Sequence, residues 1–371
     1  MLTGEVSLHD GINRHILTIS AELVRQGMDV AVCTVRSEGD GDLPQELRKA
    51  GVTVYSLGGR NGHDLRIVPR FIKVMRLFRP DVIHGHVTAF LERVVLCFGF
   101  DHVARVATVH GTGYFPDGRL RFRWLTNRLV SLVFPMRYAM VCYVSDGVRD
   151  VCGNQFGGVC ARTIYNPIKC DVECGERRLR KELGLKENVK IVGTACRIAD
   201  VKNPLAFTRV MRKALEAFPA AHAVVIGDGD KNLYAAMYEV ARGCEQIHFM
   251  GYRNDARALL AECDVCVITS HTEGMPTVLL EAMASGVPVA FWRGGGGLVD
   301  LERINSIDGP IGVVANQGDE DNLASGISDI LSGRMSISKG RLREITEKYF
   351  SVENVARELV EVYESVCTSR H

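Results

Sequence analysis

One stretch of the sequence, residues 264–300, restricts the fold more than any other. It opens with an apolar run, 264–269, that predicts a buried strand, and a polar loop, 270–274, follows. Pro276 suits the first position of a helix, where its missing N–H is no loss, and Gly286 predicts the end of that helix. A strand that leads into a helix N-terminus forms an anion site, because first-turn N–H groups lack intrahelical partners and the helix dipole favours negative charge.

Two carboxylates flank this anion site. Glu273 lies in the loop, and Glu281 lies about one and a half turns inside the helix. Carboxylates beside an anion site are costly unless they bind hydroxyl groups or cations. A ligand that combines hydroxyls with phosphates is a sugar nucleotide, although a solvated acidic pair on an ordinary strand–helix unit is the alternative. The residues at the helix N-terminus that we assign to this site are Gly274, Met275, Pro276 and Thr277.

The chain of 371 residues predicts two domains, because single hydrophobic cores stop growing near ~250–300 residues. Strand and helix patterns alternate in both halves, which indicates parallel α/β sheets. The predicted parts are a first domain, 1–167, a charged connector, 168–187, a second domain, 188–350, and a C-terminal helix, 351–371, that packs back toward the first domain. Such domains bind ligands outside the carboxyl ends of their strands, so we expect the ligand in a cleft between the two domains.

The individual elements follow from the same patterns. In the first domain the predicted strands are 29–35, 52–57, 81–84, 103–109 and 139–144, and the predicted helices are 12–27 and 69–78. In the second domain the predicted strands are 189–195, 222–226, 246–250, 264–269 and 287–291, and the predicted helices are 204–218, 232–243, 254–262, 277–285 and 319–332. Only three residues precede Gly4, where a full apolar strand is expected. Either the start codon lies upstream or most of the first strand is missing.

Other candidate residues directly follow predicted strands of the second domain. Arg197 follows the strand 189–195, and Lys202 comes five residues later. An arginine and a lysine beside a strand end can clamp a diphosphate and stabilise it as a leaving group, whereas the alternative is a surface pair. Gly251 can let the backbone approach a base. The turn 227–230 contains two aspartates, but two acids in a turn are common and we do not assign a metal there.

The first domain offers two candidates. Gly11 precedes a helix and can bring backbone against a phosphate or a sugar. His110 ends a strand and opens a glycine loop, which favours a functional role over a structural one. His84 is expected within a strand, and His86 is a weaker candidate.

Composition excludes several classes of protein. The sequence has no run of about 18 apolar residues and no secretory signal pattern, so we expect neither a transmembrane helix nor export. Twelve cysteines without such a signal indicate reduced thiols in a cytoplasmic protein. The pair Cys263 and Cys266 lacks a matching second pair, so we predict no metal site from cysteine.

Together these residues resemble the retaining glycosyltransferases of family 4, which have the GT-B fold. The resemblance covers nearly the whole chain. It is most specific from Glu273 to Val289, where the sequence matches the family's Glu-x7-Glu motif. Arg197 and Lys202 match the family's diphosphate-binding pair. His110 matches a histidine near the donor sugar, and Asn166 matches the asparagine that ends the first domain.

The resemblance implies a fold and a reaction. The fold is two Rossmann-like, doubly wound α/β domains that face a central cleft. The reaction is transfer of a hexosyl group from a nucleotide-diphosphate sugar to a glycan or lipid-linked acceptor, with retention of configuration, in polysaccharide or glycolipid biosynthesis. Glu281 would bind the ribose hydroxyls, Glu273 would bind the hydroxyls of the donor sugar, and Gly11 would lie near the diphosphate. We expect no cofactor and no metal requirement.

Three positions depart from the family pattern. The glycine loop contains Gly11 where the family usually has two glycines, and Asp300 stands where the family usually has glutamate. Trp292 and Arg293 precede a run of four glycines and are unusual, so we expect this segment to influence the choice of donor.

Charge indicates a possible surface partner. Residues 60–137 contain 13 Lys and Arg against 5 Asp and Glu, an excess of +8. In the segments 70–79 and 119–124 these bases alternate with large apolar residues, which suits peripheral contact with an anionic membrane, although two solvated amphipathic helices fit equally well. Nothing resembles a nucleic-acid-reading module. Two other functions stay open: a GT-B sugar-nucleotide epimerase and a non-catalytic sugar-nucleotide-binding subunit.

Overall fold

The protein is represented by a computed structural model, and it divides into two units. The structure describes residues 1–4, 11–36, 41–59, 64, 66–86, 100, 102–112, 138–156, 158–171 and 177–368. One unit comprises Met1–Pro167 with Val352–His371, and the other comprises Ile168–Ser351. Each unit is built on one large sheet of parallel strands, which confirms the predicted α/β class with two doubly wound domains.

Among the described residues, the sheet of the first unit has seven parallel strands. They are β1 (Leu2–Thr3), β2 (Ala31–Arg36), β3 (Thr53–Gly59), β4 (Val82–His86), β5 (Ala104–Val109), β6 (Met140–Tyr143) and β7 (Cys160–Thr163). Their order is β3-β2-β1-β4-β5-β6-β7. The strands β2 and β3 are therefore added on one side of β1, and β4 to β7 are added on its other side. The strand at the centre is β1, and its two residues pair with both neighbours. The central strand is therefore present in the described residues.

Besides the last helix of the chain, four helices of this unit lie among the described residues. They are α1 (Gly11–Arg25), α2 (Leu43–Lys49), α3 (Ile67–Phe78) and α4 (Asp146–Cys152). The predicted apolar face of α1 is confirmed, because Ile16, Ile19 and Leu23 are all buried. The sequence did not predict α2 and α4. Both have seven residues, so each offers at most two turns of periodicity.

The sheet of the second unit has six parallel strands in the order β10-β9-β8-β11-β13-β15. They are β8 (Lys190–Ala195), β9 (Ala221–Ile226), β10 (Ile247–Gly251), β11 (Val265–Ile268), β13 (Val289–Trp292) and β15 (Gly312–Ala315). Two short strands, β12 (Thr272–Glu273) and β14 (Gly295–Gly296), form a separate parallel pair. Every residue of β11 and β13 is buried, as expected for the interior of a sheet covered on both faces.

Eight helices belong to the second unit among its described residues. They are α5 (Arg178–Glu182), α6 (Pro204–Ala217), α7 (Lys231–Ala241), α8 (Ala256–Leu260), α9 (Thr277–Ala284), α10 (Gly297–Ile307), α11 (Glu320–Leu331) and α12 (Lys339–Phe350). The sequence did not predict α10, α12 or β15. The helix α10 begins inside a glycine run, which by propensity disfavours a helix. Half of the residues of α12 are charged, and it buries only Leu342, Ile345, Thr346 and Phe350.

Part of the predicted connector is integrated into the second unit. Residues 177–187 include α5, whose Leu179 is fully buried. The guanidinium of Arg180 donates to the carbonyl of Glu262 at 2.8 Å and to that of Val189 at 3.1 Å. The connector therefore lies against the second sheet because its side chains satisfy carbonyl groups there. Residues 172–176 lie outside the described residues.

The last helix, α13 (Val352–Thr368), belongs to the first unit. Its apolar residues share one buried cluster with α1, β2 and β5. The hydroxyl of Tyr363 lies 2.7 Å from Nδ1 of His84, and Arg162 pairs with Glu361 at 2.8 Å. Both ends of the chain thus build this unit. No helix within the described ranges is long and apolar enough to cross a membrane.

Candidate functional site

In the second unit, the predicted residues follow two adjacent strands. Arg197 comes two residues after β8, and Glu273 lies in the segment after β11. These strands are neighbours, but β8 connects onward to β9 on one side and β11 to β13 on the other. Loops that leave in opposite directions open a crevice at the carboxyl ends of such strands, where doubly wound folds bind ligands. The topology therefore places the arginine and the carboxylate at one binding edge.

The loop that carries Arg197 is held by a glycine turn. Gly227 has a φ of 142°, and a Cβ there would lie 1.9 Å from the carbonyl oxygen of Cys196. The amide of Ile198 donates to the carbonyl of Asp228 at 2.9 Å, and the amide of Asp230 donates to that of Ile198 at 2.8 Å. Two backbone segments thus lie in direct contact because a side chain is absent between them.

Arg197 itself is exposed and makes no hydrogen bond or ion pair with any residue that the structure describes. The aspartates of the glycine turn are engaged instead. Asp228 accepts from the amide of Gly229 at 2.7 Å, and Asp230 caps α7 by accepting from the amides of Asn232 and Leu233. These contacts give both carboxylates a structural role, and they leave Arg197 as the group available to an anion.

Lys202 and Glu273 form an ion pair at the same edge. The Nζ of Lys202 lies 2.7 Å and 2.6 Å from the two carboxylate oxygens of Glu273. Ser270 donates its hydroxyl to Oε1 of Glu273 at 2.6 Å. The side chain of Glu273 is 11% exposed and that of Lys202 is 27% exposed, so the pair is largely shielded from water. A lysine suited to a diphosphate and a carboxylate suited to sugar hydroxyls therefore neutralise each other.

The position of Glu273 depends on the glycine run. Glu273 lies on β12, which pairs with β14 within that run. A Cβ on Gly295 would lie 2.9 Å from the hydroxyl of Thr272, and one on Gly297 would lie 2.7 Å from the carbonyl of Gly274. Gly295 and Gly297 thus allow the glycine run to pack closely against the segment that carries Glu273.

The structure does not support the expectation that Trp292 selects the donor. Trp292 is 2% exposed and belongs to the hydrophobic core, where its indole N–H donates to the carbonyl of Asp319 at 3.3 Å. Arg293 donates to Glu302 at 2.6 Å and to Asn316 at 2.7 Å. The strand β13 extends through residue 292, so the tryptophan points into a packed layer.

The helix after this loop begins where the sequence predicts. Pro276 caps α9, and Met275 and Pro276 are buried, while Gly274 and Thr277 are partly buried. Glu281 is partly buried on α9, close enough to β11 that its charge adds to burial in raising the pKa of the Cys266 thiol. The first-turn amides of this helix and Glu281 thus lie on one element.

Gly251 stands at the end of β10, beside the glycine turn. It has a φ of 64°, and its carbonyl accepts from the amide of Gly227 at 2.7 Å. Its left-handed conformation favours glycine and brings backbone to the edge of the sheet. The second unit therefore combines a free cation, an ion pair, a helix N-terminus and a second carboxylate, which together suit a ligand with both phosphates and hydroxyls.

The first unit has its own polar cluster at the carboxyl ends of β1, β4 and β5. His86 ends β4, and His110 follows β5. Nδ1 of His86 lies 2.9 Å from Nε2 of His110. His15, on α1, lies edge-on to both rings, and its Nδ1 is 3.1 Å from Oδ1 of Asn166. His110 therefore belongs to a buried histidine cluster, whereas Gly11 begins α1 and is exposed.

Sequence reasoning missed His15 and underrated His86. The signal for His15 is its position on the buried face of α1, one residue before Ile16, where a polar side chain is unexpected. His15, His86 and His110 each offer a nitrogen within 4.8 Å of the others, so they are the group in the described part of the chain that could hold a metal ion. In the present geometry, however, His86 and His110 direct nitrogens at each other across a hydrogen bond.

Burial of the histidines predicts acid sensitivity. Burial lowers the pKa of His15 from 6.5 to about 4 and holds the pKa values of His84, His86 and His110 well below 6.5. The unfolded chain binds more protons below pH 6.5, so stability is complete above that pH. It should fall by about 1.4 kcal/mol per pH unit for each such histidine as the pH drops toward the folded pKa.

Urea denaturation near pH 5 and near pH 7.5, followed by hydrogen exchange of β4 and β5, measures this loss. The expected result is a lower midpoint at the acidic pH, with early exchange in the first unit. His102 is exposed, so His102→Asn serves as the control and should leave the pH dependence unchanged. Equal midpoints at the two pH values would contradict the prediction.

Comparisons with known proteins identify the family of the chain. The model of a family described as Glycosyltransferase Family 4 matches residues 9–172, and that of Glycosyl transferases group 1 matches residues 188–333. An uncharacterised glycosyltransferase of Methanocaldococcus jannaschii is 27% identical over 95% of this chain and 94% of its own. The UDP-Gal:alpha-D-GlcNAc-diphosphoundecaprenol alpha-1,3-galactosyltransferase of Escherichia coli is 27% identical over 61% of each chain.

Solved structures show the same fold. Anabaena HepE, in complex with UDP and glucose, superposes with a TM-score of 0.78 at 19% identity and covers 98% of both chains. The sucrose-phosphate synthase of Thermosynechococcus elongatus gives a TM-score of 0.75 at 18% identity, over 97% of this chain and 94% of its own. The predicted GT-B fold, with its two Rossmann-like domains, is confirmed.

Proposed function

The chain belongs to glycosyltransferase family 4, and we propose that it transfers a hexosyl group from a nucleotide-diphosphate sugar with retention of configuration. One observation carries this proposal. The exposed Arg197 and the Lys202–Glu273 ion pair stand together at the strand-order reversal of the second unit. That combination offers cations for a diphosphate and a carboxylate for hydroxyl groups.

The departing diphosphate needs positive charge. Arg197, Lys202 and the first-turn amides of α9 supply it, because negative charge grows on the bridging phosphate oxygen as the glycosidic bond breaks. Positive groups already in place lower the barrier without reorganisation at the moment of reaction. We propose that these groups make a metal or other cofactor unnecessary.

The two carboxylates bind the neutral parts of the donor. Glu281 accepts hydrogen bonds from the ribose hydroxyls, and Glu273 accepts them from hydroxyls of the sugar that is transferred. Neither serves as a covalent nucleophile of the kind found in retaining glycosidases. Instead, the departing phosphate takes the proton of the acceptor hydroxyl on the same face of the sugar, which gives retention. Gly251 and Gly11 would bring backbone toward the base and the diphosphate, respectively.

The proposed acceptor is a glycan or a lipid-linked sugar, and the biosynthetic product a polysaccharide or glycolipid. The described part of the basic region, residues 60–137, is consistent with binding to an anionic membrane surface. On α3, Lys73 and Arg76 are exposed, and Leu77 is 64% exposed beside them. Cations that surround an exposed apolar side chain suit peripheral contact with acidic lipid. The segment 119–124 lies outside the described residues.

Liposome flotation tests the membrane proposal. The protein should float with vesicles that contain acidic lipid and should not float with neutral vesicles. Lys73→Glu/Arg76→Glu should weaken vesicle binding by at least about thirtyfold, because each charge near the surface contributes about 1 kcal/mol and reversal of two charges removes more than the ~2 kcal/mol lost by neutralising them. Lys181→Glu/Lys186→Glu makes a matched charge change on exposed residues of the second unit and should float like the wild type. Equal flotation of all three proteins would contradict the proposal.

A panel of nucleotide-diphosphate sugars, assayed for nucleotide release with and without acceptor, tests the reaction class. If the protein transfers the sugar, release of the nucleotide should depend on the presence of acceptor. An epimerase would turn over the donor without any acceptor. A binding subunit would retain the donor without turnover.

A further inference from the structure

His86 and His110 face each other through one hydrogen bond. Their strands are adjacent, with His86 opposite Thr108 in the ladder. The two nitrogens are 2.9 Å apart, and the ring centroids are 5.2 Å apart. The centroids are farther apart than the nitrogens only by the distance from each nitrogen to the centre of its own ring, so the two rings meet nearly head on. No room is left for an ion between these nitrogens.

A single proton lies between the two rings at neutral pH. Burial, together with the neighbouring histidines, lowers the pKa of both rings well below 6.5, so each imidazole is neutral. A neutral imidazole has one N–H donor and one acceptor nitrogen. Either His86 donates from Nδ1 or His110 donates from Nε2. The surrounding titratable groups, His15 and His84, are also held neutral by burial.

The second nitrogen of His86 distinguishes these two arrangements. Nε2 of His86 is buried and has no hydrogen-bond partner among the described residues. If His110 donated, the proton of His86 would stand on Nε2 as a buried N–H without an acceptor, which proteins rarely tolerate. If His86 donates from Nδ1, only a lone pair is left without a partner. The arrangement in which His86 donates from Nδ1 is therefore favoured.

We propose that His86 is a positioning residue that fixes His110 in the tautomer with its proton on Nδ1. Nε2 of His110 is then occupied as an acceptor. Its Nδ1, which makes no hydrogen bond to another described residue, becomes an N–H donor. His110 thus offers a hydrogen bond to an acceptor oxygen of the ligand and does not act as a base. This role in catalysis rests on the proposed sugar transfer, whereas the tautomer does not.

Nitrogen NMR of the full chain labelled with 15N-histidine reads the tautomer directly. We expect an unprotonated Nε2 and a protonated Nδ1 for His110 near pH 7.5, with the signals assigned by their loss in His110→Gln. In His86→Leu, which cannot donate, both His110 tautomers should appear and kcat should fall about tenfold, the worth of one hydrogen bond, with a smaller change in KM. His86→Asn keeps an N–H donor near the position of the His86 Nδ1, so it should restore both the single His110 tautomer and the wild-type kcat.

A second histidine pair provides the matched control. Nδ1 of His222 lies 2.8 Å from Nε2 of His248 in the second unit, so His222→Leu removes a similar contact elsewhere and should leave the His110 signals unchanged. A protonated Nε2 on His110 in the wild-type protein would overturn the proposal, as would unchanged signals in a folded His86→Leu. Because the tautomer is read from the wild-type protein without any assay of activity, the spectrum tests it even if the proposed transfer is wrong.

Discussion

Arg197→Ala is expected to lower kcat/KM for the donor by about 10²–10³-fold, because it removes a preorganised positive group from the leaving diphosphate. Stability should barely change, since the side chain is exposed and pairs with no described residue. Arg197→Lys keeps the charge but loses the bidentate fork, so it should recover only part of the activity. Initial rates across donor concentrations, together with thermal melting, measure both properties.

Arg334→Ala is the matched control for this substitution. Arg334 is an exposed arginine of the same unit, with a side chain 67% exposed and paired to Asp329. It should retain wild-type rates. Wild-type turnover in Arg197→Ala would remove this residue from the proposed diphosphate site, and loss of folding would show that its role is structural.

The second large effect concerns the ion pair. Lys202→Met should lower kcat/KM about 100-fold, since it removes a charge from the diphosphate. It should also cost about 1–3 kcal/mol of stability, because it leaves the shielded carboxylate of Glu273 without its cation. Glu273→Gln keeps the shape and the contact with Ser270 but loses the charge that accepts sugar hydroxyls. The double variant should regain stability without regaining activity.

A double-mutant cycle, with unfolding free energy and kcat/KM measured on all four proteins, separates the two roles. Lys190→Met is the control, since it breaks a similar ion pair, with Asp264 at 2.8 Å, at the start of β8, away from the proposed site. It should leave kcat/KM unchanged. A double variant with restored activity would show that Lys202 serves only to hold Glu273.

Much of the fold and part of the site could be predicted from local sequence. The strand β11 and the helix α9 could be predicted because an apolar run, a proline and a glycine lie next to one another along the chain. Those signals depend only on the backbone preferences of these residues. The same local reasoning placed Arg197 at a strand end.

Contacts between distant residues could not be predicted in this way. The pairing of Lys202 with Glu273 spans 71 positions, so no local pattern in the sequence indicates it. The partner of His86 depends on which strands become neighbours. Trp292 looked unusual in sequence, but its indole N–H finds a carbonyl from a later segment, so it is a core residue.

The most direct test of the central claim is the anomeric configuration of the product. The donor from the panel that supports acceptor-dependent nucleotide release would be incubated with wild-type protein and with Glu281→Ala, and the new glycosidic bond would be examined by proton NMR. The prediction is release of a nucleoside diphosphate, a product with the same anomeric configuration as the donor, and loss of most turnover in Glu281→Ala. An inverted product, or wild-type-like turnover in the variant, would contradict it.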